Sequence, residues 1–247
     1  FLKYIPDVVV INNIEFDHAD IYRNLDDVQL AYKRLVNLVP KNGLLLLGAD
    51  NNHTLALRDF SVSPVLTFGF SNEADWQAYN IAIVNGRTRF SVRQKGVEFG
   101  EFELQLPGAH NVSNALGAIA VGAHRGLDSG ALADGLKAFQ GIKRRLEVLG
   151  IADGVTIFDD FAHHPTAVRE TLSALRLSNP SNRVWAVFEP RSASSCRKVF
   201  QTDFADAFSP SDEVILASVF RSDLPHEEQL SIEVLVRELN QRGQDRK

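Results

Sequence analysis

The sequence predicts an α/β protein: a parallel sheet with an antiparallel meander attached, followed by a second α/β unit that is expected to be truncated. Three observations carry this. Short apolar runs bounded by turn residues alternate with stretches of helical periodicity, the pattern of parallel strands joined by crossover helices. Between about residues 76 and 106 the texture changes to period-two alternation punctuated by Gly-containing turns. After residue 150 the strand–helix alternation starts again.

In chain order, "DVVVIN" (7–12) reads as a buried strand, and Leu25, Val28, Leu35, Val36 and Val39 then recur near the helical period until Pro40 ends the helix. "GLLLLG" (43–48) is the second strand, a short helix lies around 52–58, and "VLTFGF" (65–70) is the third strand. In "AYNIAIVNGRTRFSVRQKGVEFGEFELQL" we expect three antiparallel strands turned at "NGR" and "KGV". "PGAHNVSNALGAIAVGAHRG" (107–126) is a helix whose Ala and Gly permit close packing, and another helix covers about 129–139. "FQGIKRR" reads as a linker, with a domain boundary near 148 that separates residues 1–148 from 149–247. Beyond it come strand 154–159, helix 165–177, strand 183–189, helix 198–208, strand 213–218 and helix 231–242. No closing strand follows in "QRGQDRK" and the chain contains no methionine, so the second domain is expected to be incomplete and the chain a piece of a longer protein.

Composition narrows the function. A net charge of −5 without any Lys/Arg run argues against nucleic acid as a partner. The longest apolar runs, "VVVI" and "LLLL", are too short to span a membrane. One cysteine, Cys196, excludes an internal disulfide and a Cys-based zinc cage, and fits a reducing cytoplasm.

Three polar clusters lie just past strand ends, where open α/β sheets bind ligands: "NNIEFDHAD" (12–20), "DDFAHHPT" (159–166) and "EPRS" (189–192). In the first, His18 with Glu15 and Asp17 suits a metal or phosphate site, while Asp17 or Asp20 also suits a helix N-cap. In the second, His164 and Pro165 fit the start of a helix, which leaves Asp159, Asp160 and His163 unexplained by capping. A fourth cluster, "HNVSN" (110–114), opens a helix; His110, Asn111 and Asn114 there could face a base or phosphate, and Asn114 is read as buried. Arg144 and Arg145 are either surface charges or an interdomain pair reaching a nucleotide. Together the clusters suggest an anionic ligand between two domains, accompanied by a hard cation.

These four stretches, "NNIEFDHAD", "GAHNVSNALGAIAV", "FQGIKRRLEVLG" and "DDFAHHPT", in this order resemble the Mur ligase family of ATP-dependent amide-forming enzymes. The resemblance implies the second half of a central ATP-binding domain over 1–148 and an incomplete, Rossmann-like α/β carboxy-terminal domain over 149–247. It implies ATP and Mg2+ as cofactors and a cytoplasmic location. His18 matches the family's metal-ligating histidine. His110, Asn111 and Asn114 match the nucleotide-site segment, Arg145 the interdomain arginine that contacts ATP, and Arg144 its neighbour. Asp160 matches the family acid that holds the nucleotide, and His163 shares its loop. "EFDHADI" with "EPRS" is closest to the recycling branch, which joins the murein tripeptide L-Ala-γ-D-Glu-meso-diaminopimelate to UDP-N-acetylmuramate. UDP-N-acetylmuramate–L-alanine ligases are the alternative within the family, and a metal-dependent hydrolase or a non-catalytic binding module the alternatives outside it. The chain has no G-x-x-x-x-G-K-[ST] loop, so by itself it is expected not to run the full reaction.

Overall fold

A computed structural model describes residues 3–220 and 223–242, which divide into two compact units. The first takes in the described residues up to Phe16 together with Tyr22–Gln140; the second takes in Asp17–Ile21 and the described residues from Gly141 onward. The boundary expected near 148 thus differs from the division between Gln140 and Gly141.

The first unit is built on one six-stranded sheet of order β1-β2-β3-β4-β5-β6. Strands β1 (Val8–Ile11), β2 (Leu44–Gly48) and β3 (Val65–Gly69) run parallel. β4 (Trp76–Val84) joins β3 in parallel through Phe68↔Trp76 and Gly69↔Gln77, and then pairs antiparallel with β5 (Arg87–Gln94), which pairs with β6 (Val97–Leu104). The expected meander is therefore present as an extension of the parallel sheet. Its turns are set by Asn85-Gly86 and Lys95-Gly96, each with two consecutive positive φ angles (51° and 74°; 49° and 81°), the backbone that two-residue hairpins require.

Helices α1 (Leu25–Val36), α2 (Asn52–Leu55), α3 (Ala109–His124) and α4 (Ser129–Ala138) complete the unit. Asn24 caps α1 by accepting from the Asp27 amide, with acids in the first turn and bases in the last, which favours both helix ends. Every residue of β2 is buried, because successive side chains enter opposite layers. Leu45 and Leu47 pack with Val9, Ile11, Val28 and Val36, while Leu44 and Leu46 pack with Phe68, Trp76, Leu116 and Ile119. α3 approaches closely because Gly117 faces Val10, whose Cγ1 would lie 3.3 Å from an added Cβ.

In the second unit, β7 (Glu147–Ala152) and β8 (Val155–Asp159) form an antiparallel hairpin. The stretch 139–145, expected as a linker, holds no helix or strand, and the strand expected at 154–159 is present as β8. The correction is β7, which the sequence did not suggest and which makes β8 half of a hairpin rather than the first strand of a parallel series. Asp153-Gly154, with φ of 50° and 79°, makes the same tight turn as the two hairpins of the first unit. α5 (Pro165–Ser178), β9 (Trp185–Phe188), α6 (Gln201–Ala207), β10 (Glu213–Leu216) and α7 (Ile232–Gln241) follow, with β9 and β10 paired in parallel. Phe188 packs on Phe204 and Phe208 at ring separations of 5.1 and 5.5 Å, forming the core beneath β9. The end of "QRGQDRK", at 243–247, lies outside the described residues. Among the described residues no helix is long and apolar enough to cross a membrane.

Candidate functional site

In the first unit, the carboxyl ends of the parallel strands are packed tightly by glycine. A Cβ on Gly48 would lie 1.9 Å from the Asn12 carbonyl oxygen, and one on Gly69 would lie 2.5 Å from Oδ2 of Asp50. Asn12 is thereby held at the end of β1, and its Nδ2 donates to Oδ1 of Asn114 on α3. Asn114 is exposed rather than buried, contrary to the sequence reading, because it lies on the solvent side of α3 while Val112, Ala115 and Leu116 take the inner side. Its amide is fixed instead by Asn12, a partner missed in the sequence. Asn111 holds the entry to α3: its Nδ2 donates to the Pro107 carbonyl at 2.7 Å, beyond Gly108, whose φ is 101°. His110 is partly buried in the same first turn. Thus His110, Asn111 and Asn114 share one helix start, a place suited to an anion or a polar base edge.

In the second unit, Asp160 organises a loop. Its Oδ2 accepts from the Leu146 amide at 2.8 Å, and its Oδ1 accepts from the Ala162 amide at 2.8 Å and from the Thr171 hydroxyl at 3.2 Å. The Phe161 amide donates to the Arg144 carbonyl at 2.8 Å, so the stretch after β8 is laced to the turn at 144–146. Arg144 and Leu146 both adopt left-handed backbone there, with φ of 60° and 49°. The two arginines differ. Arg144 sits 3.4 Å from the Asp159 carboxylate and 4.8 Å over the Phe161 ring. Arg145 is exposed, makes no ion pair among the described residues, and meets the Phe161 ring only at 5.8 Å. His163 is tied down through Nδ1 to the Phe161 carbonyl at 2.9 Å. His164 caps α5 through Nδ1, which accepts from the Thr166 amide, and Pro165 occupies the first turn, as the sequence suggested.

Asp17 and His18 belong to this second unit. Neither Asp17 nor Asp20 caps α1, whose cap is Asn24; Asp17 is occupied elsewhere. Its Oδ1 accepts from the His18 amide at 2.6 Å and from the Ser194 hydroxyl at 2.5 Å. Burial pushes the Asp17 carboxyl up, but the Ser194 and His18 hydrogen bonds, with the nearby His164 and His18 charges, outweigh it and hold the group below its ordinary value. His18 has φ 53° and is exposed. No group of three or more His, Cys, Asp or Glu that could hold a metal ion occurs among the described residues. The exposed His18 imidazole could take one position in a Mg2+ shell whose other positions, oxygen by preference, waters and phosphates would fill. After β9, "EPRS" begins a turn closed by Ser195, whose Oγ accepts from the amides of Arg191 and Ser192 at 3.0 and 2.9 Å. Ser194 and Ser195 escaped the sequence reading, whose only signal was the serine cluster itself.

Residues 2–122 match the Mur ligase middle domain, and residues 144–246 match the family described as Mur ligase, glutamate ligase domain. The chain is 38% identical over 222 residues to a UDP-N-acetylmuramate–L-alanine ligase of Desulfitobacterium hafniense, covering 90% of this chain and 49% of that protein. Among solved structures, a UDP-N-acetylmuramate-alanine ligase of Thermotoga maritima superposes with a TM-score of 0.76 at 23% identity, over 99% of this chain and 51% of the other. A murein peptide ligase of Psychrobacter arcticus gives 0.62 at 29% identity, over 98% and 48%. The chain spans about half the length of the curated relatives it matches. It belongs to the Mur ligase family, as the family's middle domain followed by its glutamate ligase domain.

Proposed function

We propose that the whole protein is an ATP- and Mg2+-dependent ligase that forms an amide between the lactyl carboxylate of UDP-N-acetylmuramate and L-alanine, in the cytoplasm, during peptidoglycan assembly. The observation that carries this is the 38% identity to an L-alanine ligase over 90% of the chain. In this reading the carboxylate attacks the γ-phosphate of ATP, and the amine then displaces phosphate from the acyl phosphate. Such chemistry depends on positioning and on neutralising charge, and the residues are suited to both. Of the pair Arg144 and Arg145, Arg145 is the one whose guanidinium makes no ion pair among the described residues, which leaves it available to a phosphate or ribose. Asp160 serves it by fixing the adjacent turn, with three of its roughly four acceptor sites already used. Asn114, Asn111 and His110 face the nucleotide, and His163 lines the Asp160 loop. Bound Mg2+ would neutralise phosphate charge, with His18 as a ligand.

The murein tripeptide is the second reading of the amine. It is favoured by "EPRS" after β9 and by 29% identity to the Psychrobacter arcticus murein peptide ligase over 98% of this chain. The test is phosphate release by the whole protein with UDP-N-acetylmuramate and ATP, comparing L-alanine with the tripeptide. Turnover with L-alanine alone supports the first reading, and turnover with the tripeptide alone replaces it with the second. Turnover with neither leaves the non-catalytic module as the reading to adopt.

A further inference from the structure

We propose that Ser194 is a positioning residue for His18, acting by fixing the left-handed turn that carries the imidazole. The proposal rests on the reading of His18 as a Mg2+ ligand. Ser194 is buried, 4% exposed, although its neighbour in space, His18, faces solvent. The Ser194 hydroxyl accepts from the His18 amide at 2.9 Å and donates to Oδ1 of Asp17 at 2.5 Å. The same Oδ1 takes the His18 amide at 2.6 Å. The peptide between Asp17 and His18 is therefore held from two sides by one hydroxyl and one carboxylate.

A hold of this kind is needed where His18 sits. Its φ of 53° places a residue with a Cβ in the region that L side chains avoid, so the segment has little local reason to keep that shape. Ser194, by contrast, stands on a rigid base. The Arg197 amide donates to the Ser194 carbonyl at 3.0 Å, the Cys196 amide donates to the Ser192 carbonyl at 3.2 Å, and Ser195 closes the turn before it. The hydroxyl thus transmits the fixed geometry of the loop after β9 to the backbone of His18, as outer partners of metal ligands do.

The test uses Mn2+ in place of Mg2+, titrated into the protein with a non-hydrolysable ATP analogue. The readout is the Mn2+ midpoint from water-proton relaxation, recorded beside the paramagnetic broadening of the His18 ring signal, which is assigned by its absence in His18→Ala. Ser194→Ala is expected to raise the Mn2+ midpoint about tenfold, the low end for loss of an outer partner, while Ser194→Thr, which keeps a hydroxyl, stays within about twofold of the parent. Asp17→Asn, which removes the charge from the other end of the hold, is expected to raise it as well and replaces Ser194→Ala should that variant fail to fold. An unshifted midpoint in folded Ser194→Ala, with a shifted one in His18→Ala, overturns the positioning role and leaves the metal reading standing. No shift in His18→Ala overturns the metal reading, and the positioning role with it. Loss of thermal stability in Ser194→Ala without any change in His18 broadening identifies a merely structural serine.

Discussion

In the first unit β2 is buried along its whole length between two packed layers, whereas in the second unit β9 buries Ala186 and Phe188 while Trp185 and Val187 stand 52% and 76% exposed. The first unit therefore draws its stability from apolar layers on both faces of a sheet. The second relies more on polar ties: Asp160 across the loop after β8, Asp212 between α5 and β9, and Ser195 within the turn after β9. The difference also separates what the candidate residues do. Those of the first unit project from a helix start set on a deep core, and those of the second sit on loops whose shape is made by hydrogen bonds.

Perturbing both units tests this contrast. Phe68→Ala removes a fully buried ring from the layer beneath α3 and is expected to cost about 3–5 kcal/mol. Denaturant unfolding followed in the first unit measures it, and a loss below about 1 kcal/mol would contradict the core account. Asp160→Ala strips acceptors from two amides and a hydroxyl and is expected to cost about 1–3 kcal/mol in the absence of nucleotide. An unchanged melting temperature of the nucleotide-free protein would return Asp160 to a purely ligand-binding role.

A smaller effect follows from Asp212. The Val184 amide, and then Arg176, hold its carboxyl below the ordinary value of 3.8. A lowered folded value means that this contribution is full above the unfolded value and disappears as pH falls through the folded one. The second unit should therefore weaken below about pH 4, and Asp212→Asn should flatten that part of the stability curve. An identical acid limb in the variant would remove Asp212 from the account. Smallest of all is Val187→Ser, expected within about 0.5 kcal/mol of the parent because the side chain already faces solvent. A large loss there would mean that the face of β9 is covered in solution.

The first unit was legible in the sequence because its signals are local: continuous apolar runs for strands buried on both faces, alternation for the meander, and Asn85-Gly86 and Lys95-Gly96 for its turns. β7 carried a signal of the same kind in Asp153-Gly154, yet its alternation is blurred by a register shift between Val148 and Gly150. The candidate site was legible as clusters of residues but not as the bonds they make. Asn114 meets Asn12 across 102 positions, which no local pattern encodes. Arg144 and Arg145 read alike as a pair, and only the folded turn shows that Asp159 engages one and leaves the other. For Asp160 the family pattern indicated importance, while the bonds to Leu146, Ala162 and Thr171 show how a single acid shapes two loops at once.

The placement of Asp17–Ile21 in the second unit bears on how the chain is made. Asp17 is synthesised 177 residues before Ser194. At about 5–20 residues per second, a translating ribosome leaves an interval of roughly 10–35 s between the two. During it the first unit can assemble on either side of a turn whose holder does not yet exist. A gene divided at the junction between Gln140 and Gly141 would express a second product that lacks a piece of itself, and that piece would remain as an unanchored loop on the first.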